Sequence, residues 1–224
     1  MRRLILFAKR AEAGKVKTRM TPPLAPEQAA DLHRAFVADG LAFLRLFEDG
    51  GCQVECWTNQ DWGEPATRRM RMRQQCAGNL GARMLDTFSQ AASEGAGATI
   101  ILAADAPTLP RRLVQQAFTT LEQGADAVLT PAEDGGYVLI GACRPLPGLF
   151  QDVPWGEAGV LAATRDLALR HHLRLEETAG WYDVDQASDL PRLRQELATA
   201  AGQRRAPRTR EALAAVWTQE FGSC

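Results

Sequence analysis

Three lysines, Lys9, Lys15 and Lys17, share a nine-residue window near the start of the chain, and every other one of its 26 basic residues is arginine. With Arg19 they make four cations, Arg10 aside, in the stretch KRAEAGKVKTR. Ammonium groups act as compact point charges and a guanidinium adds a planar fork, which together suit a polyphosphate. Thr18 and the backbone N–H groups of the stretch add donors. The stretch is not a Walker loop. That motif needs Gly-Lys-Ser/Thr preceded by another glycine, whereas Gly14-Lys15 is followed by Val16 and Lys9 stands where the first glycine belongs. If the stretch is extended, alternation puts Lys15, Lys17 and Arg19 on one side. The plainer alternative is a solvated basic loop.

Carboxylates supply the complementary chemistry. Asp105, in LAADAPTLP, follows the most apolar run of the chain. Thr108, ahead of Leu109-Pro110, is the expected N-cap of the next helix, which leaves Asp105 free to hold a metal. A hard cation such as Mg²⁺ or Mn²⁺ that bridges phosphate oxygens needs one or two protein carboxylates, with water filling the rest. In WYDVDQASDL, Asp183 and Asp185 face one way if the segment is extended. Asp183 is the second candidate ligand, and Asp185 is read more simply as a helix N-cap. In EDGGYVLIG, Gly135 and Gly136 permit positive φ and close approach of backbone to a ligand, or a hairpin turn alone. Asp134 either orients a sugar hydroxyl or fixes that turn. In QQCAGNLGARM, Gln75 and Gly78 belong to a loop that packs on a base plane or is merely a tight connection. Trp155 and Trp181 are stacking faces or core.

Alternating elements must position these groups. Strands are expected at Leu4–Ala8, Gln53–Thr58, Arg71–Gln75, Thr99–Ala104, Ala127–Pro131, Tyr137–Ala142 and Leu173–Glu176. Helices are expected at Pro26–Glu48, Leu80–Glu94, Arg111–Gln123, Ala158–His171 and Ala187–Ala200. In the first helix Leu32, Phe36, Phe43 and Phe47 recur at helical spacing and predict one apolar face. Strand–helix alternation predicts a Rossmann-like α/β fold with a mostly parallel sheet and helices on both faces. The run AVLTPAEDGGYVLIGA has no room for a helix, so an antiparallel hairpin joins the sheet. Ligands of open parallel sheets bind beyond the carboxyl ends of the strands, where the lysine loop, Asp105 and the glycine turn all fall. Residues 1–200 read as one domain. Residues 201–224 read as a basic helical appendage, packed on the domain or on a partner in a homo-oligomer.

The bulk composition is that of an ordinary globular chain: 224 residues, 46% hydrophobic, net charge -1. With no chain-wide basic field, a nucleic-acid binder is not expected. The first apolar run is too short for a signal peptide or a membrane span, and a cytoplasmic protein is expected. Cys52, Cys56, Cys76, Cys143 and Cys224 form no CxxC pair and read as reduced thiols. Three histidines leave little for a His-based metal site or a Ser-His-Asp triad.

The blocks FAKRAEAGKVKTRM, GNLGARM, ILAADAPTLP, PAEDGGYVLIG, PW and DVDQASDL, in this order over about residues 4 to 195, resemble a bacterial family of glycosyltransferase-like proteins with the GT-A (nucleotide-diphospho-sugar transferase) fold. More distantly, KTRM and DVDQASDL resemble the phosphate loop and pre-helix segment of guanylyl- and cytidylyltransferases acting on phospholactate or molybdenum cofactor. The chain departs from the family's Gly-Asp-Leu-Gly loop at Asn79, and from its serine after the tryptophan at Gly156. The resemblance implies a nucleotide-binding N-terminal half. Lys9, Lys15, Lys17, Thr18, Arg19, Gln75 and Gly78 would bind nucleotide and phosphate, and Asp105 with Asp183 would hold Mg²⁺ or Mn²⁺. Asp134, Gly135, Gly136 and Trp155 would face the acceptor, with Asp105, Lys17 and Asp134 as catalytic residues. The expected function is metal-dependent transfer from a nucleotide-activated donor, first of all a nucleotide sugar, to a small-molecule acceptor. Two alternatives remain: nucleotidyl transfer from a nucleoside triphosphate to a phosphorylated small molecule, with release of pyrophosphate, and nucleotide binding without turnover.

Overall fold

A computed structural model describes residues 1–60, 62, 70–220 and 222; Cys224 lies outside them. Seven strands form one sheet: β1 (Arg2–Ala8), β2 (Gln53–Thr58), β3 (Arg71–Gln74), β4 (Ala98–Ala103), β5 (Ala127–Pro131), β6 (Tyr137–Ala142) and β7 (Leu175–Glu177). Their order across the sheet is β3-β2-β1-β4-β6-β5-β7. Every pairing is parallel except those of β6, which runs antiparallel to both β4 and β5. The expected mixed sheet and hairpin are both present. The last strand begins at Leu175 rather than Leu173. The N–H of Leu173 closes the end of the preceding helix on Ala168 O (2.9 Å), so the chain reaches β5 two residues later.

The helices are α1 (Pro26–Arg45), α2 (Leu80–Ser93), α3 (Arg111–Glu122), α4 (Val160–Arg170), α5 (Leu190–Ala198), α6 (Ala200–Arg205) and α7 (Pro207–Glu220). Strand alternation sends side chains to opposite faces. Leu4, Leu6 and Cys56 meet Val37 and Leu44 of α1 and Leu113, Ala117 and Leu121 of α3. Ile5, Trp57 and Ile101 meet Met84 and Phe88 of α2 and Leu161 of α4. The strand thiols are buried and unpaired; burial pushes Cys56 up to about 12 and Cys52 to about 11.

A third core changes the reading of α1. Leu32 and Phe36 do not face the sheet with Phe43 and Phe47. They face Leu190, Leu193 and Leu197 of α5 and Leu213 and Val216 of α7. The first helix is therefore covered on two sides, and its apolar residues divide between two cores. Asp39, 1% exposed, sits in α1 under the start of α7. Its carboxylate accepts the N–H groups of Arg208 (3.2 Å) and Thr209 (2.7 Å), satisfying donors that a helix N-terminus leaves open.

Candidate functional site

The loop after β1 is coiled rather than extended. Gly14 takes φ +75, Lys17 takes the left-handed conformation (φ 49, ψ 37), and Thr18–Met20 form a single 3-10 turn. Val16 and Met20 are buried on either side of Lys17 and anchor the loop. Lys15 consequently diverges from Lys17 and Arg19, which converge on one carboxylate. Lys15 points to solvent, 73% exposed, paired with Glu12 at 2.5 Å. Lys17 turns inward, with its side chain only 3% exposed. Its Nζ lies 2.5 Å from Asp105 Oδ1, 3.3 Å from Asp185 Oδ1 and 5.7 Å from the centre of the Phe36 ring. Arg19 Nη1 reaches the other oxygen of Asp185 at 3.1 Å. Lys9 adds its charge to the field on Asp105, while its carbonyl accepts from Nε2 of buried His33 at 3.1 Å.

The carboxylates are brought together by two strand ends and one returning segment. Beyond β4, the carbonyl of Asp105 accepts the N–H of Val184 (2.9 Å), which stitches residues 183–185 alongside. Asp189 then receives the N–H groups of Asp185 and Gln186, both at 2.8 Å. Asp189 thus does the capping expected of Asp185, and Asp185 is left for the cations. Thr108 is likewise not the cap of α3, where Pro110 precedes the first helical residue. Its buried hydroxyl lies 3.0 Å from Tyr182 OH and accepts from Trp181 Nε1 at 3.3 Å, tying the same returning segment to the β4 loop. Burial on its own raises the Asp105 carboxyl, but the Lys17 ammonium and its hydrogen bond overcome this and hold it below the ordinary range. Asp183 shows the reverse. Burial, then repulsion from Asp134 and more weakly from Asp105 and Asp185, pushes it up to about 6.

Most of the remaining candidates have polar atoms bound within their own loops, the indole N–H of Trp155 excepted. Gln75 Nε2 donates to Trp57 O (2.8 Å), and Gly78, at φ +118, has its carbonyl held by Arg83 Nε (2.9 Å). Asn79, where the family resemblance led us to expect aspartate, caps α2 by accepting the N–H of Ala82 at 2.9 Å. Asp134 accepts the N–H of Gly136 (2.8 Å), and Gly135 at φ +90 accepts from Leu161 (2.9 Å), so this turn also holds the start of α4. Trp155 stacks on Phe150 and meets Tyr137 edge-on. A Cβ on Gly81 would strike its ring at 2.8 Å.

Among the described residues no group of three or more His, Cys, Asp or Glu is arranged to hold a metal. Two hard carboxylates, Asp105 and Asp183, nevertheless fit a cation that keeps most of its water. Burial first, and then the charges of its carboxylate neighbours, disfavour a bare negative charge on Asp183, which a bound cation would relieve. Sequence reasoning gave Asp185 first to capping, Phe36 only to an apolar helix face, and His33 no role in the site. Asp185 carried a signal, the spacing it shares with Asp183. The two α1 residues carried none, because helical periodicity cannot tell which loop crosses a given turn.

A family model described as "Uncharacterized protein conserved in bacteria (DUF2064)" matches residues 33–157. The chain belongs to this family. A protein of Desulfovibrio desulfuricans G20, provisionally named a nucleotide-diphospho-sugar transferase, is 30% identical to this family member. The match covers 98% of this chain and 99% of that one, with a TM-score of 0.85. A cytidylyltransferase of Leptospira borgpetersenii serovar Hardjo-bovis shares the fold at 13% identity and a TM-score of 0.52, over 98% of this chain and 94% of that one. CMP:2-keto-3-deoxy-manno-octonic acid synthetase, solved with CTP, shares it at 11% identity and a TM-score of 0.51, over 88% and 99%. No curated protein matches the sequence. No helix among the described residues is long and apolar enough to cross a membrane.

Proposed function

We propose that the chain is a nucleotide-utilising transferase that moves a glycosyl group from a nucleotide sugar to a small-molecule acceptor. The observation that carries this reading is the convergence of Lys17, Arg19, Asp105 and Asp185 at the carboxyl ends of β1 and β4. In α/β sheets that edge receives ligands, and this one offers cations beside carboxylates. Arg19, 65% exposed, is the fork available to an incoming phosphate. Lys17 supplies positive charge at the strand edge, where charge develops on a departing diphosphate. Asp105 and Asp183 are the residues that would hold Mg²⁺ or Mn²⁺, whose chemistry when bound is neutralisation of diphosphate charge. The Asp134–Gly136 turn lies on the acceptor side, with Trp155 behind it as packing for Gly81. The kinship with the Desulfovibrio protein supports a sugar donor.

Nucleotidyl transfer is the second reading. A single loop after β1 delivers both Lys17 and Arg19 to one pair of carboxylates, an arrangement that equally suits the pyrophosphate of a nucleoside triphosphate. One experiment separates the readings. The protein is incubated with Mg²⁺ or Mn²⁺ and panels of nucleotide sugars and nucleoside triphosphates, in the presence of acceptor mixtures. Nucleoside diphosphate release is expected. Pyrophosphate release would favour nucleotidyl transfer, binding without turnover a non-catalytic module, and binding of neither panel would refute all three.

A further inference from the structure

In this structure Lys17 occupies the position where a bound cation would be drawn. Its ammonium lies between Asp105 and Asp185, is almost wholly shielded from water, and rests over the Phe36 ring. A buried ammonium is stable only while carboxylates and a ring face replace its water. Two cations cannot share so small a space without strong repulsion. Among the described residues, Asp134 and Asp183, whose charges repel each other, enter no ion pair. The Asp105 side chain is 38% exposed and Asp185 41%, so both can be reached from solvent. The Lys17 side chain is long and unbranched, and Nζ can swing away while Val16 and Met20 keep the backbone anchored.

We propose that Lys17 is a displaceable plug. Without ligand its ammonium neutralises Asp105 and Asp185 and keeps a divalent cation off Asp105. A polyphosphate draws the ammonium away, so cation and polyphosphate enter together rather than the cation first. This rests on the reading of the site as one for polyphosphates, and goes beyond it by coupling the two ligands through one side chain.

Two measurements test it. The first is Mn²⁺ binding alone, followed by the loss of the free-ion signal in electron paramagnetic resonance. Lys17→Met should bind Mn²⁺ at least tenfold more tightly than the unaltered protein. Lys17→Met combined with Asp105→Asn should lose that gain. Equal or weaker binding by Lys17→Met overturns the plug, and Lys17→Gln repeats the comparison if the methionine variant does not fold. The second uses the unaltered protein. Because the chain has only three lysines, ¹³Cε-lysine labelling gives three signals, with Lys17 identified by its absence from the variant. Mg²⁺ alone should leave the Lys17 signal in place, and Mg²⁺ with inorganic triphosphate should move it. A shift with Mg²⁺ alone overturns the proposal. If Mn²⁺ binding rises in Lys17→Met while triphosphate never moves the signal, the plug stands and the polyphosphate reading falls.

Discussion

Two charged clusters occupy opposite ends of the same strands, and they are built on opposite rules. Near the start of β1, fully buried Arg3 meets Glu55 of β2 and Glu94 at the end of α2, and Arg71 and Arg73 of β3 close around both carboxylates. Three arginines serve two glutamates, and Gln53 and Trp57 take remaining bonds. Glu94 is pulled down to about 2, first by its hydrogen bonds to Arg73 and Arg3. At the other end Lys17 and Arg19 pair with Asp105 and Asp185, while Asp134 and Asp183 enter no ion pair among the described residues and Asp183 is pushed up to about 6. The first cluster is balanced in that every carboxylate has guanidinium partners, although one arginine is in excess and Arg3 Nε, Glu55 Oε1 and Arg73 Nη1 make no hydrogen bond, and it stabilises the fold. An unbalanced one is incomplete until something positive arrives, as perturbed carboxylates in functional sites often are.

That contrast can be broken by experiment. The largest effect is expected on chemistry at the unbalanced end. Asp105→Asn and Lys17→Ala should each lower turnover by about 10²–10³-fold, the loss typical of removing a preorganised electrostatic group, with melting temperature changed far less. Activity surviving in both variants would show that the chemistry lies elsewhere. At the balanced end the largest effect is expected on stability. Arg3→Ala removes a fully buried guanidinium with its bonds to Glu94 and Gln53, leaving Glu55 to Arg71, Arg73 and Trp57, and should cost about 3–5 kcal/mol in chemical denaturation with the turnover of folded protein kept.

Acid titration should give the two ends opposite signs. Glu94 has a folded pKa below its unfolded value, so its stabilisation is full above about pH 4.5 and is lost as pH falls toward 2. Glu94→Gln should therefore lower the melting temperature at pH 7, and the deficit should shrink in acid. Asp183 has a raised folded pKa, so its ionisation opposes folding above about pH 6 and has no effect below its unfolded value. Metal-free Asp183→Asn should melt higher than the unaltered protein at pH 8 and equally at pH 3.5. Melting curves with the same sign for both variants would erase the distinction. The smallest effect belongs to Lys15→Ala. Its exposed pair with Glu12 is worth at most about 1 kcal/mol, and nucleotide affinity should fall only a few-fold.

Much of this was legible in the chain. The apolar run of β4 followed by Asp105, and the helix-free hairpin ahead of β6, are local patterns, and each survived with its bounds nearly unchanged. The start of β7 was expected two residues too early, because the close of the preceding helix is set by where its last N–H groups find carbonyls. The lysine loop was read correctly as a coherent unit at a strand end and incorrectly as extended. Nothing in Gly14-Lys15-Val16-Lys17 announces that Val16 and Met20 will both be buried, and their burial is what turns Lys17 inward and Lys15 outward. Asp185 and Asp189 both had capping chemistry, and only the fold of residues 183–189 decided which one used it.

The sequence by itself determined which groups exist and in what local order: three lysines and an arginine in one loop, aspartates after a strand and before a helix, a mixed sheet to hold them apart or together. Tertiary structure alone decided that Lys17 faces Asp105 and Asp185, more than eighty residues away in the chain, and that His33 and Phe36 of α1 stand beside them. Local patterning follows from propensities that act over a few residues. Pairing of distant charges depends on which loops the packed cores bring to the same edge, and that is settled only when α1 is held between the sheet and the C-terminal helices.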